Sequence, residues 1–529
     1  MCREFMYKMG LWSIIIPLDV KQAVQNFVSV NQTYWMKVNC SESRILVEGH
    51  LSQYGPNYAF RSALAAKAIQ EKYNLEISVV FDGFSYQWEI ARMIYSSFRI
   101  DDFIYLGSKF IFRNIYYSIS AIAKSSVLFF QLIKPNDILN ISIDNIMVGD
   151  LIYDDLIKHG NRKTINRLDF DVFKTIVYSY YYFMLYKHLF QIGRYTYYIA
   201  THTQFIQYGL LCRVALLKGV KVIETTDIQM SYYNEISPTK LPTYHQGLSN
   251  VINGILEKQD YDSSKLCEYA MNSINNRMDS NIDQIDVEKA YKGEIIRRKD
   301  LQKIFNINPN NTIIFIMAHV FKDSPHSSSM MLHLDYYSWL FDTIKVASQS
   351  KNIDWIVKPH PASSLYNETG DVEDMINIIN SSNIHLCYED FNTKSIKYCA
   401  DAIVTVYGTA GLEFACLGIP VLLAGRSFYA GHGFTIEPQT LSDYHKILLS
   451  MNKIKRLTEN KINSALEVYA IWEKQFDWEN PIITKDVLKN VWGTGKERNI
   501  INAHNIMSEN LVSINPKSLK LWEYVQLVA

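Results

Sequence analysis

Paired cysteines are missing from this chain. Its seven, Cys2, Cys40, Cys212, Cys267, Cys387, Cys399 and Cys416, are odd in number and none stands in a Cys-x-x-Cys spacing. A disulfide framework and a cysteine zinc site are therefore excluded, and the apolar surroundings of most of them predict buried free thiols in a reducing compartment. Long apolar runs are missing too. Leu11–Val20 is short, flanked by charged and polar residues, and has no small-residue cleavage site. Nothing reaches the ~18 uninterrupted apolar residues that a membrane span requires, so a cytoplasmic protein is expected. Nor does one sign of charge dominate: Lys plus Arg and Asp plus Glu number 53 each, which argues against a general nucleic-acid binder. No GxxxxGK[ST] phosphate loop, HExxH zinc helix or GxSxG elbow occurs, which removes three large enzyme classes. His319, Asp323 and His326 are metal-ligand types, but they sit on a loop containing Pro325; no metal and no cofactor are expected.

Strand and helix patterns alternate through most of the sequence. At 529 residues two or more cores are required. Residues 1–43 are weakly periodic and read as an N-terminal extension. Arg44–Gly49, Ile77–Phe81, Tyr197–Ala200 and Lys221–Glu224 read as strands, separated by helical stretches such as Ala59–Tyr73, Tyr86–Phe98 and Gln207–Leu217. Together they outline a Rossmann-like domain over 44–235. The segment Val177–Tyr198 is dense in tyrosine and reads as one helix, part core and part surface, with a membrane-facing side as the rarer alternative. Ile143–Met147 is a further strand candidate, followed by Val148-Gly-Asp150-Leu-Ile-Tyr-Asp154. Residues 236–300 are polar and helical, a spacer. A second Rossmann-like domain follows over 301–480, from the strand Thr312–Met317 onward, and 481–529 is a tail expected to pack back on the first domain. The fold class is α/β: two Rossmann-like domains facing a cleft, the GT-B arrangement, with a helical spacer.

The densest signal runs from Asp401 to Gly425. A β-branched strand leads into Gly408-Thr409-Ala410-Gly411, then a short helix carrying Glu413, then Gly418-Ile-Pro420 and another strand. Free N–H groups at a helix start are a seat for phosphate, and a carboxylate one turn later can accept from ribose hydroxyls. Ligands of open parallel sheets bind at the C-terminal ends of strands. The polar residues at those ends are His50, Asp82 and His202 in the first half, and His319, Lys358 and His360 in the second. In Lys358-Pro-His360-Pro a cation and an imidazole sit on a stiff turn, suited to a departing nucleotide phosphate. His50 or Asp82 suits the base that takes a proton from an acceptor hydroxyl.

Three motifs together resemble the bacterial capsule polysaccharide biosynthesis family, which includes the Kdo transferases of group 2 capsules. They are Lys358-Pro-His-Pro, the Thr409-x-Gly411-x-Glu413 turn, and Phe428-Tyr-Ala-Gly-His-Gly-Phe-Thr435. The last departs from the family, with His432 in place of Trp and Phe434 in place of Leu, so the sugar does not carry over. The resemblance implies a glycosyltransferase of capsule or O-antigen assembly that needs no metal. It puts Lys358, His360, Thr409, Gly411 and Glu413 at the nucleotide-sugar donor, which is CMP-Kdo-like if the relatives are followed; His319 and Gly408, at the ends of their strands, are expected to join them. His50, Asp82 and His360 are the candidate catalytic residues, and Tyr429, His432, Thr435 and His202 line the cleft. The implied partners are a nucleotide-sugar donor and an oligosaccharide or lipid-linked glycan acceptor, with peripheral contact to the inner membrane or to glycan-assembly proteins. A CDP-polyol phosphotransferase of the teichoic-acid type, a nucleotide-sugar 2-epimerase and a non-catalytic scaffold of glycan assembly stay open as alternatives.

Overall fold

Runs of Ile, Val, Tyr and Phe, buried on both faces, form the inner strands of two largely parallel sheets. The computed structural model describes residues 16–38, 42–82, 86–106, 111–226, 230–233, 236–237, 240–258, 261–279, 290–291, 293–328, 330–388, 390–476, 480–492 and 499–529. Cys2, Cys40 and the first part of Leu11–Val20, named above, lie outside these residues. The chain divides into two units. Unit 1 comprises Met1–Ile152, Leu168–Pro242 and Gln475–Ala529; unit 2 comprises Tyr153–Arg167 and Thr243–Lys474.

Unit 1 holds helix α1 (Leu18–Asn31), strand β1 (Arg44–Glu48), helix α2 (Pro56–Tyr73), strands β2 (Glu76–Phe81) and β3 (Asp102–Tyr105), and helix α3 (Ile111–Gln131). A small hairpin, β4 (Ser142–Ile143) and β5 (Ile146–Met147), precedes helix α4 (Gly149–His159), within which the chain passes into unit 2. Helix α5 (Phe170–Ile192) and strands β6 (Tyr195–Ala200), β7 (Lys221–Thr225) and β8 (Met230–Tyr233) complete the set. The sheet order is β3-β2-β1-β6-β7-β8, parallel except for β8. One face packs Ile45, Val47, Ile77 and Val79 into a core shared with α1 and α2. The other face is covered by α5, where Phe190 meets Tyr198 at 6.2 Å.

Three sequence readings change here. Val177–Tyr198 is not one helix: α5 ends at Ile192, Gly193 and the left-handed Arg194 (φ 48°) turn the chain, and Tyr195 starts β6. Ile143–Met147 is a hairpin rather than one strand, because Asp144 and Asn145 both take positive φ. Gln207–Leu217 opens as a π-helical turn, Phe205–Leu210, before the α-helix Leu211–Leu217. Phe205 itself sits at φ 61°, a left-handed backbone that a bulky aromatic rarely adopts.

Both ends of the sequence belong to the same core. Val24 and Phe27 of α1 join Ile482, Val487, Met507 and Trp522 of the last hundred residues around β1 and β2. The Trp35 and Trp522 rings lie 5.7 Å apart.

Unit 2 contains helices α6 (Tyr244–Lys258) and α7 (Ser263–Met278), strand β9 (Thr312–Met317), helix α8 (Tyr336–Ala347), and strands β10 (Ile353–Lys358), β11 (Ile384–Leu386) and β12 (Ala402–Thr405). Helix α9 (Thr409–Cys416), strand β13 (Val421–Leu423) and helix α10 (Leu441–Leu449) follow. The sheet is all parallel, in the order β11-β10-β9-β12-β13. One face feeds a core with Trp339, Leu340 and Tyr444; on the other, Phe315 meets Phe391 at 5.7 Å. The polar stretch expected as a spacer is not simply solvated: α6 and α7 bury Leu248, Ile252, Leu266 and Ile274.

Truncating Trp522 to Ala is expected to lower unit 1 stability by about 3–5 kcal/mol. A denaturant titration followed by far-UV circular dichroism would read it as a lowered midpoint.

Candidate functional site

In each unit the strand order reverses at one place: between β1 and β6 in unit 1, and between β9 and β12 in unit 2. Such switch points open a crevice at the strands' C-terminal ends. His50 and His202 follow β1 and β6, and His319 and Gly408 follow β9 and β12. The sequence-predicted residues thus fall in pairs on the two reversals.

At the unit 2 reversal, His319 Nε2 accepts from the amides of Val406 and Tyr407, each at 3.3 Å, and lies 3.1 Å from Thr405 Oγ1. Two N–H donors on Nε2 assign the proton to Nδ1. The ring stacks on Tyr336, with centroids 4.4 Å apart and planes at 8°. Burial, helped by the neighbouring His360 and His245, pulls His319 down to about 3; it is neutral at working pH. His360 Nδ1 accepts from the Ala362 amide at 3.1 Å, which leaves Nε2 as its proton-bearing nitrogen. On this geometry each ring has one N–H to offer, Nδ1 of His319 and Nε2 of His360.

Helix α9 begins at Thr409, so Gly411 sits inside its first turn rather than in a preceding loop. First-turn N–H groups have no carbonyl one turn back within the helix, and Gly408, Thr409 and Ala410 are only half-buried. Tyr429 fixes the turn: its hydroxyl donates to the Gly408 carbonyl at 2.7 Å. A Cβ on Gly411 would stand 2.2 Å from that hydroxyl, so no larger residue fits.

Two other predicted donor residues already have partners. Lys358 is buried, and its ammonium donates to the Phe391 carbonyl at 3.3 Å; burial lowers its pKa. The Glu413 carboxylate accepts from Tyr291 at 3.1 Å and pairs with Arg277 of α7 at 3.0 Å. His432 stacks with Phe434 (6.3 Å, 13°), and Thr435 Oγ1 bonds Glu437.

Unit 1 carries a buried polar cluster at its own reversal. His50 is fully buried, pulled down to about 3 by that burial, and among the described residues neither ring nitrogen has a hydrogen-bond partner. Glu48, the last residue of β1, accepts from the amides of His50 and Leu51. Burial outweighs these bonds and the nearby Arg61 charge, and Glu48 rises to about 7. Glu224 accepts from Thr203 (3.1 Å) and Tyr233 (3.0 Å) and is likewise raised to about 7 by burial. His202 Nδ1 accepts from the Gln204 amide at 3.3 Å, and its ring stacks on Tyr208. Asp82, after β2, accepts from Tyr182 (2.6 Å) and Gln207 (3.2 Å), and burial raises it.

Sequence reasoning passed over Glu48 and Glu224, although a carboxylate ending a buried strand is a readable signal. It also passed over the pair Asp154–His326 in unit 2, 2.6 Å apart. His319, Asp323 and His326 do not converge: His326 holds Asp154, while Asp323 accepts from Tyr366 at 3.3 Å. Among the described residues the group able to hold a metal is instead His333, Asp342 and His445. There Asp342 Oδ2 lies 2.8 Å and 2.6 Å from the two imidazoles, which satisfy it without an ion.

Residues 216–470 match the family model described as capsule polysaccharide biosynthesis protein. This stretch includes all three motifs quoted above and just under half of the chain. By sequence, no curated protein matches. Solved structures that resemble the chain include a Thermosulfurimonas dismutans KpsC beta Kdo 2,4 transferase (15% identity, 53% of this chain and 79% of that one, TM-score 0.34). Others are the Neisseria meningitidis UDP-GlcNAc 2-epimerase bound to UDP-GlcNAc (14%, 89% and 100%, TM-score 0.23) and a glycosyltransferase from Rickettsia africae (10%, 86% and 99%, TM-score 0.28). At these scores no residue role and no reaction carries across.

Two predictions follow from the geometry. Gly411→Ala should destabilise unit 2 by about 1–3 kcal/mol, and less in a Tyr429→Phe background, read by thermal melting of the four members of the cycle. Folded His50, His245 and His319 titrate at about 3, and His504 at about 4, well below the ordinary histidine value of about 6.5. Below pH 6.5 the unfolded chain takes up protons that the folded chain refuses, so this stability is complete above 6.5 and is lost as pH falls toward 3. Glu48 and Glu224, raised to about 7, act oppositely between about 4.5 and 7. Burial also lowers His188 and His432 and raises Asp82 and Glu368; six histidines against four carboxylates, the melting point should drop as pH goes from 6.5 to 5, and His319→Asn should flatten that slope.

Proposed function

We propose that the chain is a nucleotide-sugar-dependent glycosyltransferase of bacterial surface-glycan assembly. The observation that carries this reading is the unit 2 reversal, where the start of α9 lies beside the His319 ring, itself a neighbour of His360, inside the segment that matches the capsule-family model. Nucleotide phosphate sits against the N–H groups of Thr409 and its neighbours, with His319 and His360 donating to it. Lys358, tied to the Phe391 carbonyl, adds positive field from beneath. Glu413 holds α9 to α7 through Arg277, and its remaining lone pairs serve the ribose. Tyr429 orients the turn, while His432 and Thr435 serve the sugar of a donor of the CMP-Kdo type. The acceptor is an oligosaccharide or lipid-linked glycan, which places the enzyme at the inner membrane surface. Unit 1 handles it, with His202 among the contacts.

Acid–base matching selects the base. A group titrating near neutrality suits proton removal at working pH, so Glu48 is favoured over His50, and Asp82 is the remaining candidate. His50 then positions Glu48 through its amide.

A thermal-shift screen of CMP, CDP, UDP, GDP and their sugars tests the donor site, since a ligand of the native state raises the melting point by mass action. One nucleotide family should shift the wild type, and His360→Ala should lose most of that shift. No shift with any nucleotide would sink the proposal. Turnover of a nucleotide sugar with no acceptor would mark an epimerase, and transfer of a polyol phosphate the phosphotransferase. For the base, Glu48→Gln should lower kcat by about 10²–10⁴-fold with donor binding intact, whereas an unchanged kcat would pass the role to Asp82.

A further inference from the structure

Helix α3 turns its apolar side outward. Among its described residues the buried positions are Asn114, Ala121 and Ser125, small or polar residues at i, i+7 and i+11. The outward stripe carries Ile115 (57% exposed), Ile119 (65%), Ile122 (50%), Val127 (64%) and Phe130 (86%), and Ile133 beyond the helix end is 90% exposed. A surface helix of a globular protein normally does the reverse, and contiguous apolar patches of this kind mark an interaction site.

Charge narrows the occupant. From Phe103 to Asn136 the sequence has no Asp or Glu and four cations, Lys109, Arg113, Lys124 and Lys134, in a chain otherwise balanced. Arg113, Lys124 and Lys134 are exposed beside the stripe. Several acids around it are engaged: Asp137 accepts from the Ile133 and Lys134 amides, Asp102 pairs with Arg44 at 2.9 Å, Asp144 pairs with Lys187, and Asp171 pairs with Lys174 at 3.3 Å. A shallow groove along the helix, lined by Ser118, Ile122, Lys174, Val177, Tyr178 and Tyr181, continues the apolar surface onto α5. At 21 residues α3 is ~31 Å long, yet among the described residues no helix is long and apolar enough to cross a membrane. A second copy of the chain is disfavoured, because a two-fold contact would set this cationic patch against itself.

We propose that α3 lies flat on an anionic lipid surface. Ile115, Ile119, Ile122 and Phe130 sit at the acyl boundary, and Arg113, Lys124 and Lys134 lie at headgroup level, the disposition of an interfacial helix. The inference names the surface for the membrane contact in the proposed function, and its test is independent of nucleotide binding.

The full chain is sedimented with vesicles of phosphatidylcholine and phosphatidylglycerol in equal parts, and with phosphatidylcholine alone. Binding should favour the anionic vesicles and weaken as salt is raised. Ile119→Glu/Ile122→Glu should reduce it about tenfold or more with the melting point unchanged, since both side chains are exposed. Lys124→Ala/Lys134→Ala should weaken binding to anionic vesicles only. No binding to either vesicle, or equal binding by the double Glu variant, overturns the proposal. So does a solution mass of two chains that the double Glu variant halves, which would make the face an interface between copies.

Discussion

Unit 2 hangs on one imidazole nitrogen. His319 Nε2 collects the Val406 and Tyr407 amides at the end of β12, so the ends of the two strands that flank the sheet reversal are tied by a single ring. That tie requires a neutral histidine, and burial supplies one. Protonating Nε2 would lose an acceptor and leave two inward-facing amides without one, the more expensive half of a broken hydrogen bond. Tyr336 stacks on the same ring, and Tyr429 holds the turn that follows.

For the proposed donor site the consequence is a setting of dipoles rather than of free charge. His319 is neutral, and Lys358 is buried on a carbonyl. Oriented N–H groups in a water-poor setting stabilise an anion without having to reorganise, and they do so without a strong long-range field, in keeping with a chain of zero net charge. Unit 1 is built on the opposite plan. Glu48 and Glu224 are titratable groups held close to neutrality by burial, the condition for moving a proton.

Most inner strands were legible because their β-branched residues are contiguous, as in Thr312–Met317 and Ile77–Phe81. Strand ends were legible because a polar residue after such a run is conspicuous, which is how His50, His319 and His360 were found. What escaped was whatever depends on distant partners. The edge strand β8 contains Met230-Ser-Tyr-Tyr233, ordinary loop composition given strand form by pairing with β7. Glu413 reads locally as a ribose ligand, and only the fold reveals that Arg277, more than a hundred residues earlier, already holds it. Asp154 and His326 are 172 positions apart, and no local pattern joins them. The orientation of α3 was equally hidden, since an apolar stripe on a helix reads locally as the core-facing side and only the fold turns it outward.

The interleaving of the two ends in unit 1 bears on the order in which a ribosome can deliver this protein. The first sheet is translated early, but Met507, Leu511 and Trp522, which share its core, emerge only after all of unit 2. Unit 2, apart from Tyr153–Arg167, is one uninterrupted stretch from Thr243 to Lys474, and all of it has left the tunnel while unit 1 still lacks its closing helices. Vectorial synthesis therefore finishes the second half first. The nascent chain carries an open apolar sheet face through most of its elongation, a natural customer for a holdase chaperone.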